Sequence, residues 1–575
     1  MHTFKPKAVF LMIVVLAVAA CSKEPEEAAG GLASSGGLLQ YVPADTPYLI
    51  AMTESLPDDV LDKLEPQADA TLQMYPALIK GVLTAMIESG EEGTDADALR
   101  EAMPFVDELH SLMSIEGLRE SGIDRDSSFA LYGAGMLPVI RITLTDGALM
   151  EDAVARLEAS AAKQMSVATV GNQQFRYAGD EQARFIVAII GDELVISFVP
   201  ADLSEDSLKT VLGLSLPDEN IAESGALQAL ANKYDFSNYL VGFIDIERIA
   251  AVFLDQQSGI NAELLAMIEH GGSALSDICK AEARELAGVM PRIVLGYTDV
   301  NVRHISSKAI IELRPDLAAG VSQLTGPVPG LGSDHGGIFS MGMSTNILAA
   351  REFYAERLDA LEAAPYECEG FTEMQVGALA GREILNQPVP PIVYGFNGFL
   401  AVIENIEGLD IQKQQPPTSI DMRLLVSMDN VEGLLAMGAM FSPELAALNI
   451  EPDGEPVKLE LGQIAAMGQI VHVAMTDTAL ALSVGEGTED RLGDMLDASA
   501  ADPSPFMTID MDAARYYKFI SDSMQADDSL EALPEMRESI EAMIATVQES
   551  VARMSVTIDF SENGVELNST VRLAD

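Results

Sequence analysis

The sequence predicts an α+β protein made of two diverged lobes, each an antiparallel or mixed sheet with helices on one face. Three observations carry this expectation. Short apolar strands run into an Asp or Asn and then a helix; paired strands around tight turns are followed by further helices; and both units occur on either side of a Gly/Pro-rich stretch, Thr325 to Gly337. Hairpins with crossing helices build sheets with helices packed beside them, not a doubly wound parallel sheet.

The strand–helix units come first. They place strands at 139–144, 240–245, 337–343, 422–428 and 506–510, followed by helices at 152–159, 246–254, 347–358, 431–440 and 513–520. Hairpin–helix units follow. Strands 186–190 and 194–198 flank Gly191-Asp192 and lead into a helix at 204–212; strands 471–475 and 479–484 flank Asp477 and lead into one at 489–496. Asn397-Gly398 and Asn563-Gly564 each read as a type I′ hairpin turn, because both residue types tolerate positive φ. The second closes strands 554–560 and 565–571, and its counterpart in the first lobe is 292–297 with 306–313. Helices at 75–89 and 110–118 read as insertions in the first lobe. The expected boundaries are a signal peptide at 1–20, a tether at 21–37, the first lobe at 38–324, a linker at 325–336 and the second lobe at 337–575.

Composition bounds the function. The chain has 575 residues, is 48% hydrophobic and has a mean hydropathy of +0.18, enough for large cores. Against 34 Lys and Arg stand 89 Asp and Glu, a net charge of −55. A nucleic-acid binder needs a basic footprint to displace counterions from phosphate, so that class is excluded. Adsorption to anionic lipid headgroups is opposed for the same reason. With 3 Cys, 6 His and no Trp, neither a metal site nor a cofactor is expected.

The N-terminus carries an address. Lys5 and Lys7 precede an apolar run at 8–18, which ends in Ala19-Ala20-Cys21. A span needs roughly 20 apolar residues, so this is a signal peptide and not an anchor helix. Val18-Ala19-Ala20-Cys21 resembles the lipobox of bacterial lipoproteins. The resemblance implies that Cys21 is acylated and becomes the first mature residue. It also implies, through Ser22, sorting to the outer membrane, facing the periplasm or the cell surface. The bilayer is then held through Cys21 alone, since no other stretch reads as apolar enough to span it. Residues 22–37, rich in Gly, Ser, Ala and Glu, form a flexible tether with a reach of about 20 Å. Tyr41-Val42-Pro43-Ala44-Asp45-Thr46-Pro47 resembles the opening of a domain-of-unknown-function family of bacterial envelope proteins. The stretch from Gly122-Ile123-Asp124-Arg125-Asp126 to Tyr132-Gly133 is similar to a second phrase of that family. This likeness implies an exported α+β body and no known chemistry.

Cys279 and Cys368 remain once Cys21 is acylated. An even pair in an exported chain reads as a disulfide, here stapling the lobes across the linker; the alternative is two separate buried thiols.

No catalytic residue is assigned. A Gly-x-Ser-x-Gly elbow is absent, and Ser333-Asp334-His335 lies side by side in the linker, whereas a triad is assembled from separated positions. His110, His270, His304, His335 and His472 lack metal-ligand spacing. Asp124-Arg125-Asp126 and Asp95-Ala96-Asp97 do not continue into a calcium loop. Met341, Met343, Met437, Met440, Met507 and Met511 read as core filler, with an adaptable apolar groove as the other reading of so many thioethers. The expected function is that of a non-catalytic, lipid-anchored envelope lipoprotein that binds or organises another envelope component, a protein. The alternatives are a periplasmic carrier or chaperone for an apolar ligand, or an envelope hydrolase.

Overall fold

A computed structural model of the chain describes residues 37–89, 96–161, 164–255, 257–267, 275–408, 417–440, 450–459, 469–525 and 534–574. The expected signal peptide, Cys21 and the tether up to residue 36 lie outside the described residues.

In chain order, β1 (Tyr48–Met52) leads into α1 (Asp58–Ser89), α2 (Ala96–Leu112) and α3 (Ile115–Glu120). The hairpin of β2 (Phe129–Ala134) and β3 (Leu137–Thr143) is followed by α4 (Gly147–Ser160). A meander of β4 (Ser166–Val170), β5 (Gln173–Gly179), β6 (Ala183–Ile189) and β7 (Glu193–Pro200) precedes α5 (Glu205–Leu212) and α6 (Ala226–Tyr234). Next come β8 (Val241–Asp245), α7 (Ile246–Leu254), α8 (Gly259–Met267) and α9 (Asp277–Ala287), then β9 (Arg292–Asn301), β10 (His304–Glu312) and α10 (Pro315–Val321). The remainder begins with β11 (Phe339–Ser344), α11 (Ile347–Ala363), α12 (Glu369–Leu385), β12 (Phe396–Glu407), β13 (Ser419–Met428) and α13 (Val431–Ala439). It continues with β14 (Val457–Leu459), β15 (Val471–Met475), β16 (Ala479–Val484) and α14 (Leu492–Asp497). It ends with β17 (Met507–Asp512), α15 (Ala513–Gln525), α16 (Pro534–Ser550), β18 (Val551–Ser561) and β19 (Gly564–Leu573).

Local chemistry explains the strand-to-helix switches. Asp146, Asp245, Asn346 and Asn430 each sit at an N-cap and accept a backbone N–H from the first turn of the following helix. Asp512 does the same for α15 through the Arg515 N–H. A short acceptor at the strand end satisfies a donor that the helix cannot.

The nineteen strands among the described residues form one antiparallel sheet. Its order is β4-β5-β6-β7-β3-β2-β1-β8-β9-β10-β19-β18-β17-β11-β12-β13-β16-β15-β14. The seam at its centre pairs β10 with β19, from His304 opposite Arg572 to Glu312 opposite Gly564. Outward from that seam the order is the same on both sides, with β4 as the one extra strand. When the β9–β10 and β18–β19 turns are aligned and the register is followed outward, Asp245 meets Asp512 and Asp146 meets Asn430. The cap residues therefore coincide.

Helices cover both faces of the sheet, which corrects the expectation of one. On β1, β2 and β3, Met52, Phe129, Ile140 and Ile142 pack with Leu72, Leu118, Met150 and Val154 of the long helices. The alternate residues Leu49, Ala51, Ala130, Tyr132 and Val139 pack with Leu212, Leu227 and Leu230 of α5 and α6. Successive strand residues point to opposite faces, so these are two cores on two faces. Beyond the seam the same split holds. Leu425 and Ala481 join Leu492 and Met495 of α14, while Val431 of α13 joins Val473 and Leu480. The segment 325–336 packs into the former core, with Val328 and Leu331 buried and Pro329 bridged to Ala500.

Two further readings change. Asn397-Gly398 is not a hairpin turn: it lies inside β12, where the register shifts between Phe396 and Gly398. β12 has partners on both sides, and the ladder overrides the local turn preference. Gly398 has φ +145°, and a Cβ there would meet the Met343 carbonyl oxygen at 2.1 Å, so glycine is required for close strand approach. α1, by length and composition, is the one described helix that could cross a membrane, contrary to expectation. Here it packs against α16, α2 and α3 and buries Val60, Leu61 and Leu72.

Candidate functional site

The α11–α12 hairpin exposes several large apolar side chains, among them Leu348, Tyr354, Met374, Val376 and Ile384. Cys279 and Cys368 are bonded, with their Cα atoms 4.9 Å apart, and the bond ties α9 to the start of α12. Glu282 of α9 reinforces it by accepting the N–H groups of Glu367 and Cys368 at 2.7 and 3.0 Å. Between the two helices, Arg382 pairs with Asp359 and Glu362 at 2.7 and 2.9 Å. At the open end the Arg351 guanidinium donates to the Leu385 carbonyl. Gln375, buried within the hairpin, accepts the Tyr366 N–H at 2.7 Å.

The outer side of α12 is different. Gly370, Met374, Gly377, Gly381 and Ile384 follow each other at alternating steps of four and three, which aligns them along one side of the helix. Met374 is 53% exposed and Ile384 68%. A Cβ added at any of the three glycines would meet nothing within 4 Å. A glycine in a helix interior costs about 0.5–1 kcal/mol relative to alanine, and here no contact among the described residues offsets it.

A second apolar surface lies on the sheet itself. Over β11, β12, β13 and β17 burial runs against chemistry. Ser340, Ser344, Arg423, Ser427 and Thr508 are buried on the α14 face. On the other face Met341, Met343, Phe399, Leu424 and Ile509 are only half-buried. Helix α13 buries Val431 on this face, and Tyr516 of α15 stacks on Phe339 of β11, while α11 buries no side chain.

No protein-family model, no curated protein and no solved structure matches this chain.

Two groups of polar residues form closed arrangements. Glu312 lies at the end of β10 and takes two bonds from Arg292, at 2.9 and 3.1 Å, one from Lys233 at 3.0 Å and one from the Tyr234 hydroxyl. Burial alone would raise its carboxyl, but these donors outweigh it and hold the group at about 2. Asp334 and His335, neighbours in sequence, point to different partners. Asp334 pairs with Arg572 at 3.2 Å and Arg553 at 3.5 Å, while His335 Nε2 meets the Gly330 carbonyl at 2.9 Å. Burial lowers the His335 pKa.

One constellation was not legible in the sequence. His472 and Ser483 are direct cross-strand partners, and Glu489 lies 3.7 Å from His472 Nδ1. Ser483 Oγ, His472 Nδ1 and Glu489 Oε2 make no hydrogen bond among the described residues. Ser483 is fully buried, so its hydroxyl cannot reach a substrate in this fold. A cleft of about 270 Å³ between α1, α2 and α16 is lined by Gln73, Lys80 and His110 among small residues. Among the described residues no three His, Cys, Asp or Glu side chains converge on a metal site.

Proposed function

We propose that this chain is a non-catalytic outer-membrane lipoprotein, held in the bilayer through acylated Cys21, that binds another envelope protein through the outer side of α12. The observation that carries the reading is the exposed Met374–Gly377–Gly381–Ile384 seam. Its spacing suits a partner helix, and its glycines let the two backbones approach closely. The disulfide at the head of the same helix fits an oxidising compartment.

The body is read as two diverged copies of one lobe. The shared strand order on either side of the β10–β19 seam supports this, as do the coincident caps Asp245 with Asp512 and Asp146 with Asn430.

Two experiments test the proposal. Cys21→Ala is expected to release the protein from the membrane or block its maturation; unchanged fractionation and mass would remove the lipoprotein assignment. A photo-crosslinker at Met374 is expected to trap one recurrent protein in cells, while one on the buried side, at Gln375, traps none. Indiscriminate or absent adducts from Met374 would remove the partner surface.

A second reading, a carrier for an apolar ligand, is favoured by the half-buried sheet face over β11, β12, β13 and β17.

A further inference from the structure

We propose that β4, at one end of the sheet, pairs edge to edge with β4 of a second copy of this chain. The inference is independent of the α12 seam and of the acyl group on Cys21.

The two end strands of the sheet are β4 and β14, which pair only with β5 and β15. A sheet edge offers a row of open backbone donors and acceptors, and chains blunt it with charge, proline, a bulge or brevity. β14 has three of these guards: it is 3 residues long, carries Lys458 at its centre and follows Pro456. β4 lacks charge, proline and bulge alike: Ser166–Val170 runs in unbroken register with β5. It is also the one strand without a counterpart across the central seam, an addition to the shared strand order.

The pairing with β5 fixes which groups face out. Gly171 and Asn172 make a two-residue turn between the partners Val170 and Gln173. In such a hairpin the flanking pair exchanges both hydrogen bonds, and the next pair turns its groups away. Val167 and Thr169 therefore point their N–H and C=O groups outward, and among the described residues these meet no backbone partner. Both residues are exposed, Val167 at 61%.

A two-fold axis at Ala168 satisfies these groups. An antiparallel copy in that register sets each Val167 opposite a Thr169, so that every outward donor meets an acceptor. Both are β-branched, a residue type that packs well across strands. The same patch on both copies is what a closed dimer requires.

Charge selects the occupant. The chain has 89 acidic residues in 575, yet none falls between Glu158 and Asp180, the stretch that forms β4, its turn and β5. The nearby Glu151 and Glu158 of α4 are paired with Arg176 of β5. Two copies with a net charge of −55 each repel one another, and this hairpin is a place where they can approach. A basic partner drawn by the net charge finds no carboxylate on the hairpin to pair with.

The test uses the full-length chain in intact cells. Two-fold pairing brings the Cα atoms of residue 168 to about 4.5 Å, within disulfide range. Ala168→Cys is expected to yield a thiol-reducible dimer on mild oxidation with diamide. Thr169→Cys alone is expected to give about tenfold less, because its own copy lies two positions away in the register. Coexpression with Val167→Cys should restore that dimer. Val167→Lys with Thr169→Lys sets like charges opposite each other and is expected to cut the Ala168→Cys dimer about tenfold. Should Ala168→Cys fail to fold, the exposed Val167→Cys and Thr169→Cys variants carry the test. No dimer in either arrangement, equal yields from Ala168→Cys and Thr169→Cys, or a dimer indifferent to the lysines overturns the pairing. A photo-crosslinker at Thr169 that traps a different protein, or residues 22–37 of its own chain, in place of a second copy overturns the occupant.

Discussion

Asp245 and Asp512 do the same work at corresponding points of the sheet. Each ends a strand next to the central hairpins, and each accepts the N–H of an arginine three residues on, Arg248 at 2.9 Å and Arg515 at 3.0 Å. The strand-to-helix switch is thus built identically on both sides of the seam. Asp245→Ala and Asp512→Ala are each expected to cost about 1 kcal/mol, the usual cost of removing an N-cap. Urea unfolding of the two variants checks this, and a large difference between them would show that the two caps are not energetically equivalent.

The disulfide closes a separation of 89 residues. In the chain-entropy account closing a loop of that size stabilises the fold by about 4.6 kcal/mol, less any strain. Cys279→Ser with Cys368→Ser is expected to lower the unfolding midpoint accordingly. It should also admit protease into the α11–α12 hairpin first, because Glu282 and the helix-to-helix ion pairs are then its main ties. Mass mapping of the earliest cleavage products decides where the structure opens.

Glu312 predicts a pH dependence with a definite sign. Its carboxyl is held at about 2 against an ordinary 4.5, so the folded state favours the ionised form. The contribution is complete above pH 4.5 and is lost as pH falls through that value toward 2. Melting temperature should therefore drop across this window. Glu312→Gln should be less stable at neutral pH and show a flatter acid limb, because an amide keeps the bulk without the charge that Arg292 and Lys233 require. An acid limb equally steep in wild type and variant would assign the effect to other carboxylates.

The glycines of α12 separate stability from recognition. Gly377→Ala and Gly381→Ala are expected to stabilise the isolated protein by about 0.5–1 kcal/mol each, since neither added methyl meets an obstacle. The same changes should reduce crosslinking from Met374. Stabilisation with undiminished crosslinking would mean that the partner does not approach along this seam.

The strand–cap–helix units were readable because their information is local. An apolar run, an Asp or Asn and an amphipathic stretch sit within a dozen residues, as at Asp146, Asp245 and Asn430. The Cys279–Cys368 pair was readable from parity once Cys21 was set aside. The Asn397-Gly398 misreading shows the opposite case, where two neighbouring strands decide what the dipeptide does. The β4–β5 hairpin went unread because Ser166, Thr169, Gln173 and Gln174 make it polar on both faces. The α12 seam is masked by its glycines, which are poor helix formers, although Met374, Gly377, Gly381 and Ile384 keep the four-three spacing of one helix side.

The methionines show where apolar patterning and burial part company. Met341, Met343, Met507 and Met511 were read as core filler, yet they are half-buried, and Met440 is 81% exposed. Periodicity tells which residues share a face. It does not tell what will come to cover that face.

Ser306 and Thr570, hydrogen-bonded across the central seam, are 264 positions apart. Every other pairing of β10 is with its sequence neighbour β9, so one long edge of β10 stays open until β19 arrives. During synthesis a large, already folded body would present that bare edge to its surroundings. The order in which this chain emerges therefore exposes its most adhesive surface for the longest time. Folding of such a chain is served by an escort, or by a delay, that keeps β10 covered until the last hairpin closes the sheet.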